Sequence, residues 1–208
     1  MNRHYKLFTF LLISGLVAID DTESWSSISL ETKMPYFSKV KIEQSLRLKN
    51  EAQNFKQTFT EVSLYYKFND YITFNVPYRY AIFENKIKSR ISFGSAFKYK
   101  KKDLTIRYRT KLENSKELNK QVEKTYRNKI SLQFKLNKTY RPFISYEAFN
   151  IYDKILQDID EDRFSLGTVV QIFKKSALKV YYAYKREGLS KKHAEYFGVL
   201  GLDYSIEI

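Results

Sequence analysis

Few residue types in this chain are able to do chemistry. Its 208 residues include no Cys and two His. Disulfides, a thiol nucleophile and thiolate zinc or iron–sulfur sites are therefore excluded. Only His193 lies outside the N-terminal leader described below, so a multi-histidine metal centre is excluded too. Nucleophilic hydrolysis would need His193 as base and Ser190, three residues earlier, as nucleophile. Glu195 is near, but no carboxylate is spaced to orient the imidazole, and the plainer reading is an exposed loop histidine. Asp158, Asp160, Glu161 and Asp162 invite a divalent cation, but they lack the turn Gly and terminal Glu of a calcium loop and read as a solvated loop. Six Gly, three Pro and no phosphate loop argue against a nucleotide-binding α/β enzyme. No cofactor and no metal are expected.

What remains is charge and aromatic surface. Lys and Arg number 37 against 23 Asp and Glu, a formal net charge of +14, and aromatic residues make up 17%. Such charges act together only if a scaffold turns them to one side, and the scaffold shows in the pattern. After Glu23 the dominant period is two, that of half-buried strands. In residues 39–49, Val40, Ile42, Leu46 and Leu48 share one face, with Lys41, Glu43, Ser45, Arg47 and Lys49 on the other. In residues 126–136, Ile130, Leu132, Phe134 and Leu136 oppose Arg127, Lys129, Ser131, Gln133 and Lys135. The pattern predicts strands at 24–33, 38–49, 55–68, 70–83, 88–100, 103–113, 124–137, 139–152, 162–174, 176–187 and 194–208. Tight connections alternate with longer polar ones at 50–54, 84–87, 114–123, 153–161 and 188–193, as in an up-and-down antiparallel sheet with a short-turn end and a long-loop end.

A meander this long must close or split, because open edges aggregate. Periodicity alone does not say which face meets water. Three features favour a membrane. The strands are long enough to cross a bilayer when tilted. Aromatic residues cluster near strand ends, as interfacial girdles do. Residues 1–6 are basic and 7–19 almost wholly apolar, too short for a spanning helix and suited to a signal peptide ending at Ala18. The terminal LGLDYSIEI adds a fourth. Gly201, Tyr204, Ile206 and Ile208 resemble the C-terminal signal read by the outer-membrane assembly machinery, with an aliphatic residue at the end.

If the apolar face meets lipid, the polar face fills a lumen with Glu43, Arg47, Glu61, Arg79, Arg90, Arg107, Arg109, Arg127, Glu147, Arg163 and Asp203. Two readings stand: a polar plug of interlocking salt bridges, or a narrow anion-favouring conduit or pocket. Lys98, Lys100, Lys101, Lys102, Lys174 and Lys175 fall at short turns, where they would meet anionic headgroups. A soluble basic β protein that binds nucleic acid is the alternative, and it leaves the leader, strand length and C-terminal pattern unexplained.

The order SWSSISLETK (24–33), KIEQSLRLKN (41–50), TEVSLYYKFN (60–69), RYRTKL (107–112), YRNKISLQFKL (126–136), RPFISYEAFN (141–150), DRFSLG (162–167) and GLDYSIEI (201–208) resembles an uncharacterised outer-membrane barrel family of Gram-negative bacteria, the domain of unknown function DUF2490. The resemblance covers nearly the whole chain after the leader. It implies fold and location, and carries no activity. The expectation is thus an exported, all-β transmembrane barrel of about ten strands, ten to twelve being possible, in contact with outer-membrane lipid, lipopolysaccharide and the barrel assembly machinery. Residues 1–18 form the signal peptide, 19–37 an N-terminal segment and 38–208 the barrel. Because single-chain bacterial barrels usually have an even number of strands, 24–33 is set aside as an added strand, a lumen segment or a loop. The role is structural or concerned with small solutes or anions. The alternatives are a lipid-modifying hydrolase using Ser190 and His193, and the nucleic-acid binder.

Overall fold

The computed structural model describes residues 19–118, 120–151 and 159–208, so the expected signal segment 1–18 lies outside the described residues. Eleven strands follow in chain order: β1 (Asp21–Met34), β2 (Ser38–Lys49), β3 (Asn54–Lys67), β4 (Ile72–Phe83), β5 (Ile87–Lys101), β6 (Leu104–Glu117), β7 (Glu123–Phe134), β8 (Tyr140–Ile151), β9 (Ile159–Phe173), β10 (Ser176–Glu187) and β11 (Glu195–Glu207). Each pairs antiparallel with its chain neighbours, and the sheet closes where β1 pairs parallel with β11. The count is eleven and odd. Residues 24–33 lie within β1, which is part of the barrel wall between β11 and β2. The parallel seam follows from the count: when directions alternate, an odd number gives the first and last strands the same direction.

The barrel is inside-out relative to a water-soluble protein. Ile91, Phe93, Phe164, Leu200 and Leu202 face outward and are exposed, whereas Glu23, Lys111, Glu113, Glu147 and Lys185 are buried inside. In water that arrangement would expose a continuous apolar belt. In a bilayer it satisfies both faces, and closure leaves no backbone donor or acceptor on an open edge. Aromatic pairs stack on the outer surface near both ends, Tyr71 with Phe97 and Tyr184 with Tyr196. Tyr36 and Phe37, both with positive φ, protrude at the β1–β2 turn.

The two ends differ less than the spacing of polar residues suggests. β6 runs on to Glu117, so the connection expected at 114–123 shortens to 118–122. The extension is polar, but Asn114 and Ser115 continue the ladder to β5 and β7.

Packing inside the wall turns on Tyr181 of β10. Its cross-strand neighbours are Gly167 on β9 and Gly201 on β11. A Cβ on Gly201 would lie 2.0 Å from the Tyr181 ring, and one on Gly167 would lie 2.6 Å from the Tyr181 Cβ. The ring therefore lies flat over bare backbone at Gly201, beside the apolar group of Trp25, Ala183 and Val199. Gly201→Ala should force the ring off its seat and destabilise the barrel by about 1–3 kcal/mol, as overpacking does. The measurement is the temperature at which the folded, fast-migrating gel band is lost. Adding Tyr181→Ala should restore most of the loss.

Candidate functional site

The site is the lumen. With eleven strands its interior is wider than that of an eight-stranded barrel, which side chains just fill, and narrower than that of a large porin. Three cavities lie in file along it. One of about 450 Å³ occupies the short-turn half, between Glu31, Lys41, Arg107, Gln133 and Lys179. One of about 250 Å³ lies in the middle. One of about 360 Å³ occupies the loop half, between Lys56, Lys88, Arg90, Asp160 and Glu187. Neighbouring cavities share walls: Arg109 and Lys129 line both the short-turn and middle cavities, and Arg47 and Arg163 both the middle and loop-end ones. All eleven residues named from the sequence line these spaces. Among the described lining residues, fourteen Lys and Arg face nine Asp and Glu.

Carboxylates in this wall are shared between cations. Glu147 on β8 accepts from Arg127 Nε at 2.7 Å and Arg109 Nη2 at 3.1 Å, with Lys129 Nζ at 3.5 Å. Glu113 on β6 holds Arg90 at 3.0 Å and Arg127 at 3.3 Å. Arg127 thus ties β6 to β8 across its own strand. Arg79 pairs with Glu61 at 2.7 Å, and Lys179 with Asp203 at 2.9 Å. Glu23 is fully buried and takes Lys185, Lys56 at 2.7 Å and the Trp25 indole N–H at 2.7 Å.

Aromatic rings join the guanidiniums into a belt. Following the wall, Arg79 lies 3.7 Å from the Phe59 centroid, and Arg47 lies 5.3 Å from Phe59 and 3.9 Å from Trp25. Arg163 lies 4.8 Å from Trp25 and 4.5 Å from Phe149, and Arg127 4.7 Å from Phe149. The step from Trp25 on β1 to Arg163 on β9 crosses two strands, which carry the small residues Val199 and Ala183 beneath it. Glu113 and Arg90 complete the circuit back to Arg79, the cross-strand partner of Arg90. Planar guanidinium suits this role better than an ammonium group, because it stacks on rings and presents its edge to anions at once.

Several of these residues escaped sequence reasoning. Trp25, Phe59 and Phe149 sit on the polar parity but are apolar by type, so a two-letter pattern cannot assign them inward. Glu23 and Glu113 fell at or beyond the ends of the expected strands. Other expected features are dispersed. Ser190 donates its hydroxyl to Asp160, while His193 is exposed in the 188–194 connection. The acidic run is split by alternation. Glu161 faces the lumen beside Arg163 at 2.6 Å, and Asp162 takes Arg186 and, at 3.1 Å, Tyr146 on the outer side. Asp158 lies outside the described residues. Among the described residues no group of His, Asp and Glu is arranged to hold a metal. Of the C-terminal signal residues, Gly201 lies under Tyr181 inside the wall, and Ile208 is exposed with its N–H donated to the Glu31 carbonyl at 2.9 Å.

The shared carboxylates predict an uneven response to charge removal. Glu147→Gln strands three cations in a buried setting and should cost about 3 kcal/mol. Glu43→Gln releases only Lys41, whose side chain is partly exposed, and should cost about 1 kcal/mol or less. Urea unfolding in detergent, followed by the fluorescence of Trp25, separates the two.

Comparison with known proteins agrees with this architecture. Among solved structures, the fold is similar to a KdgM porin (TM-score 0.50, 13% identity, covering 81% of this chain and 85% of that one). It is also similar to a KdgM porin in complex with disordered oligogalacturonate (TM-score 0.51, 12% identity, 79% and 90% covered) and to a bacterial polysaccharide outer membrane secretin (TM-score 0.51, 7% identity, 78% and 73% covered). At these identities the likeness is one of fold. No curated protein matches the sequence. The profile of the family described as protein of unknown function (DUF2490) matches residues 22–195, from the second residue of β1 to the first of β11. Because that match spans nearly the whole barrel wall, the chain belongs to the DUF2490 family.

Proposed function

We propose that this protein is an outer-membrane, porin-like barrel whose lumen admits small anionic solutes. The observation that carries the reading is the lining: three cavities in file, with cations exceeding carboxylates by fourteen to nine. A narrow polar tube through lipid focuses that excess into a field that attracts anions and repels cations. The fold neighbour solved with disordered oligogalacturonate supports an acidic solute. In this reading the leader exports the chain and the assembly machinery engages the end of β11. The short turns face the periplasm and the longer connections the outside. The outer apolar band meets lipid, and the outer rim meets lipopolysaccharide.

The alternatives have less behind them. A hydrolase needs Ser190 and His193 as a pair, and Ser190 is engaged by Asp160 instead. A soluble nucleic-acid binder needs its arginines outside, and here Arg47, Arg79, Arg90, Arg107, Arg109, Arg127 and Arg163 face the lumen.

Two measurements test the proposal. The natively expressed protein should fractionate with the outer membrane and shift on a gel after boiling. In planar bilayers under a potassium chloride gradient, the reversal potential should show preference for chloride. Arg107→Ala combined with Arg109→Ala should lower that preference about twofold to fivefold by removing two fixed charges from the short-turn cavity. No conductance from either form would refute conduction.

A further inference from the structure

Arg47 differs from the other guanidiniums of the belt. Arg79 has Glu61 at 2.7 Å, Arg90 has Glu113 at 3.0 Å, Arg127 has Glu147 at 2.7 Å, and Arg163 has Glu161 at 2.6 Å. Arg47 is held instead by two ring faces, Trp25 at 3.9 Å and Phe59 at 5.3 Å, and among the described residues it has no carboxylate partner. Its Nε is buried without a hydrogen-bond acceptor. Stacking offsets part of the cost of taking a charge out of water, but supplies nothing for the N–H groups, which point along the plane of the ion. A buried charged donor left unmatched is costly. The side chain nonetheless lines both the middle and the loop-end cavities, so a solute in either space can reach it.

We infer that Arg47 is a binding site in the lumen for the carboxylate group of a small organic anion. The inference rests on the reading that solutes enter the lumen, and adds to it one residue and one ligand chemistry. The Nη1–Nη2 edge of a guanidinium matches the two oxygens of a planar carboxylate. Trp25 and Phe59 fix that edge from both sides, so little orientation is lost on binding. Arg79 shares Phe59 with Arg47, and Arg163 shares Trp25 with it, which adds two positive charges one ring away. Those two already hold carboxylates of the wall, which leaves Arg47 as the belt position where a mobile anion completes the pattern.

Trp25 is the single tryptophan of the chain and lies against Arg47, so it reports on this site directly. The experiment titrates the folded barrel in detergent with potassium acetate, potassium chloride holding the ionic strength constant, and follows Trp25 emission. A saturating change is expected. Arg47→Gln should raise its midpoint at least about tenfold, the loss of a charge-assisted hydrogen-bonded pair. The Lys67→Ala variant, altered at the exposed end of β3 outside the lumen, should stay within about twofold of the parent. Arg47→Lys keeps the charge but loses the two-pronged edge. It should also raise the midpoint, and it serves if Arg47→Gln does not show the folded band. An absent response in the parent, or an unchanged midpoint in the Arg47 variant that folds, overturns the site. A response without bilayer conductance leaves the site standing and removes conduction. Conductance without a response does the reverse.

Discussion

Closure along the parallel seam between β1 and β11 is the constraint on which the lumen depends. Without it the sheet would present two unpaired edges to lipid, where no water can satisfy them. A parallel ladder is slightly weaker per residue than an antiparallel one, and this seam is reinforced at several levels. Ser27 donates to Asp203 across it at 2.8 Å. Glu23 on β1 reaches over β11 to Lys185 on β10. Asp20 exchanges hydrogen bonds with the Tyr196 backbone at the loop end, and Lys33 pairs with Glu207 at the short-turn end. The inner face of β11 stays thin where this bridging occurs, with Val199 and Gly201 opposite Glu23 and Trp25. Small residues on the closing strand are what allow the neighbouring strands to bond over its top.

Strand number then sets what the interior must hold. Eleven strands enclose more space than short side chains fill, and apolar filling would leave charged neighbours without solvent or partners. Long cationic chains solve both problems, because the aliphatic stem fills volume while the head finds a carboxylate or a ring face. The belt from Arg79 round to Arg127 is that solution at its densest. Its rings, Trp25, Phe59 and Phe149, are inward and buried, whereas the outer surface carries exposed aromatic residues, with stacked pairs near both ends. The same residue type thus serves two solvents, and only its parity on the strand separates the roles.

Much of this was legible in the sequence, and the remainder was not for physical reasons. The expected limits of 38–49 and 176–187 coincide with β2 and β10, because alternation, length and flanking turns agree there. The polar faces were legible because a strand offers only two faces. The identity of the ion pairs was not. Glu147 stands directly opposite Lys129 on β7, yet its shortest bond is to Arg127, opposite Phe149. Such diagonal partners depend on register and twist, which one strand's pattern does not contain. The place of residues 24–33 was obscured for another reason. The even-number tendency of bacterial barrels weighed against a pattern that reads plainly as a strand, and the pattern was the better guide.

The distribution of charge in the lumen follows from how carboxylates are used. Glu147 serves three cations, while Glu113 and Glu23 each serve two. One carboxylate between several cations holds the wall together at more points than one-to-one pairing would, since each carboxylate has two oxygens and room for several donors. The same economy leaves positive charge uncompensated. In a tube walled by protein and surrounded by lipid, that residue of charge is poorly screened compared with a surface patch. A cation entering would add to it, and an anion entering would neutralise part of it. In the proposed reading, the interactions that keep an eleven-stranded interior filled are also what biases it toward anions.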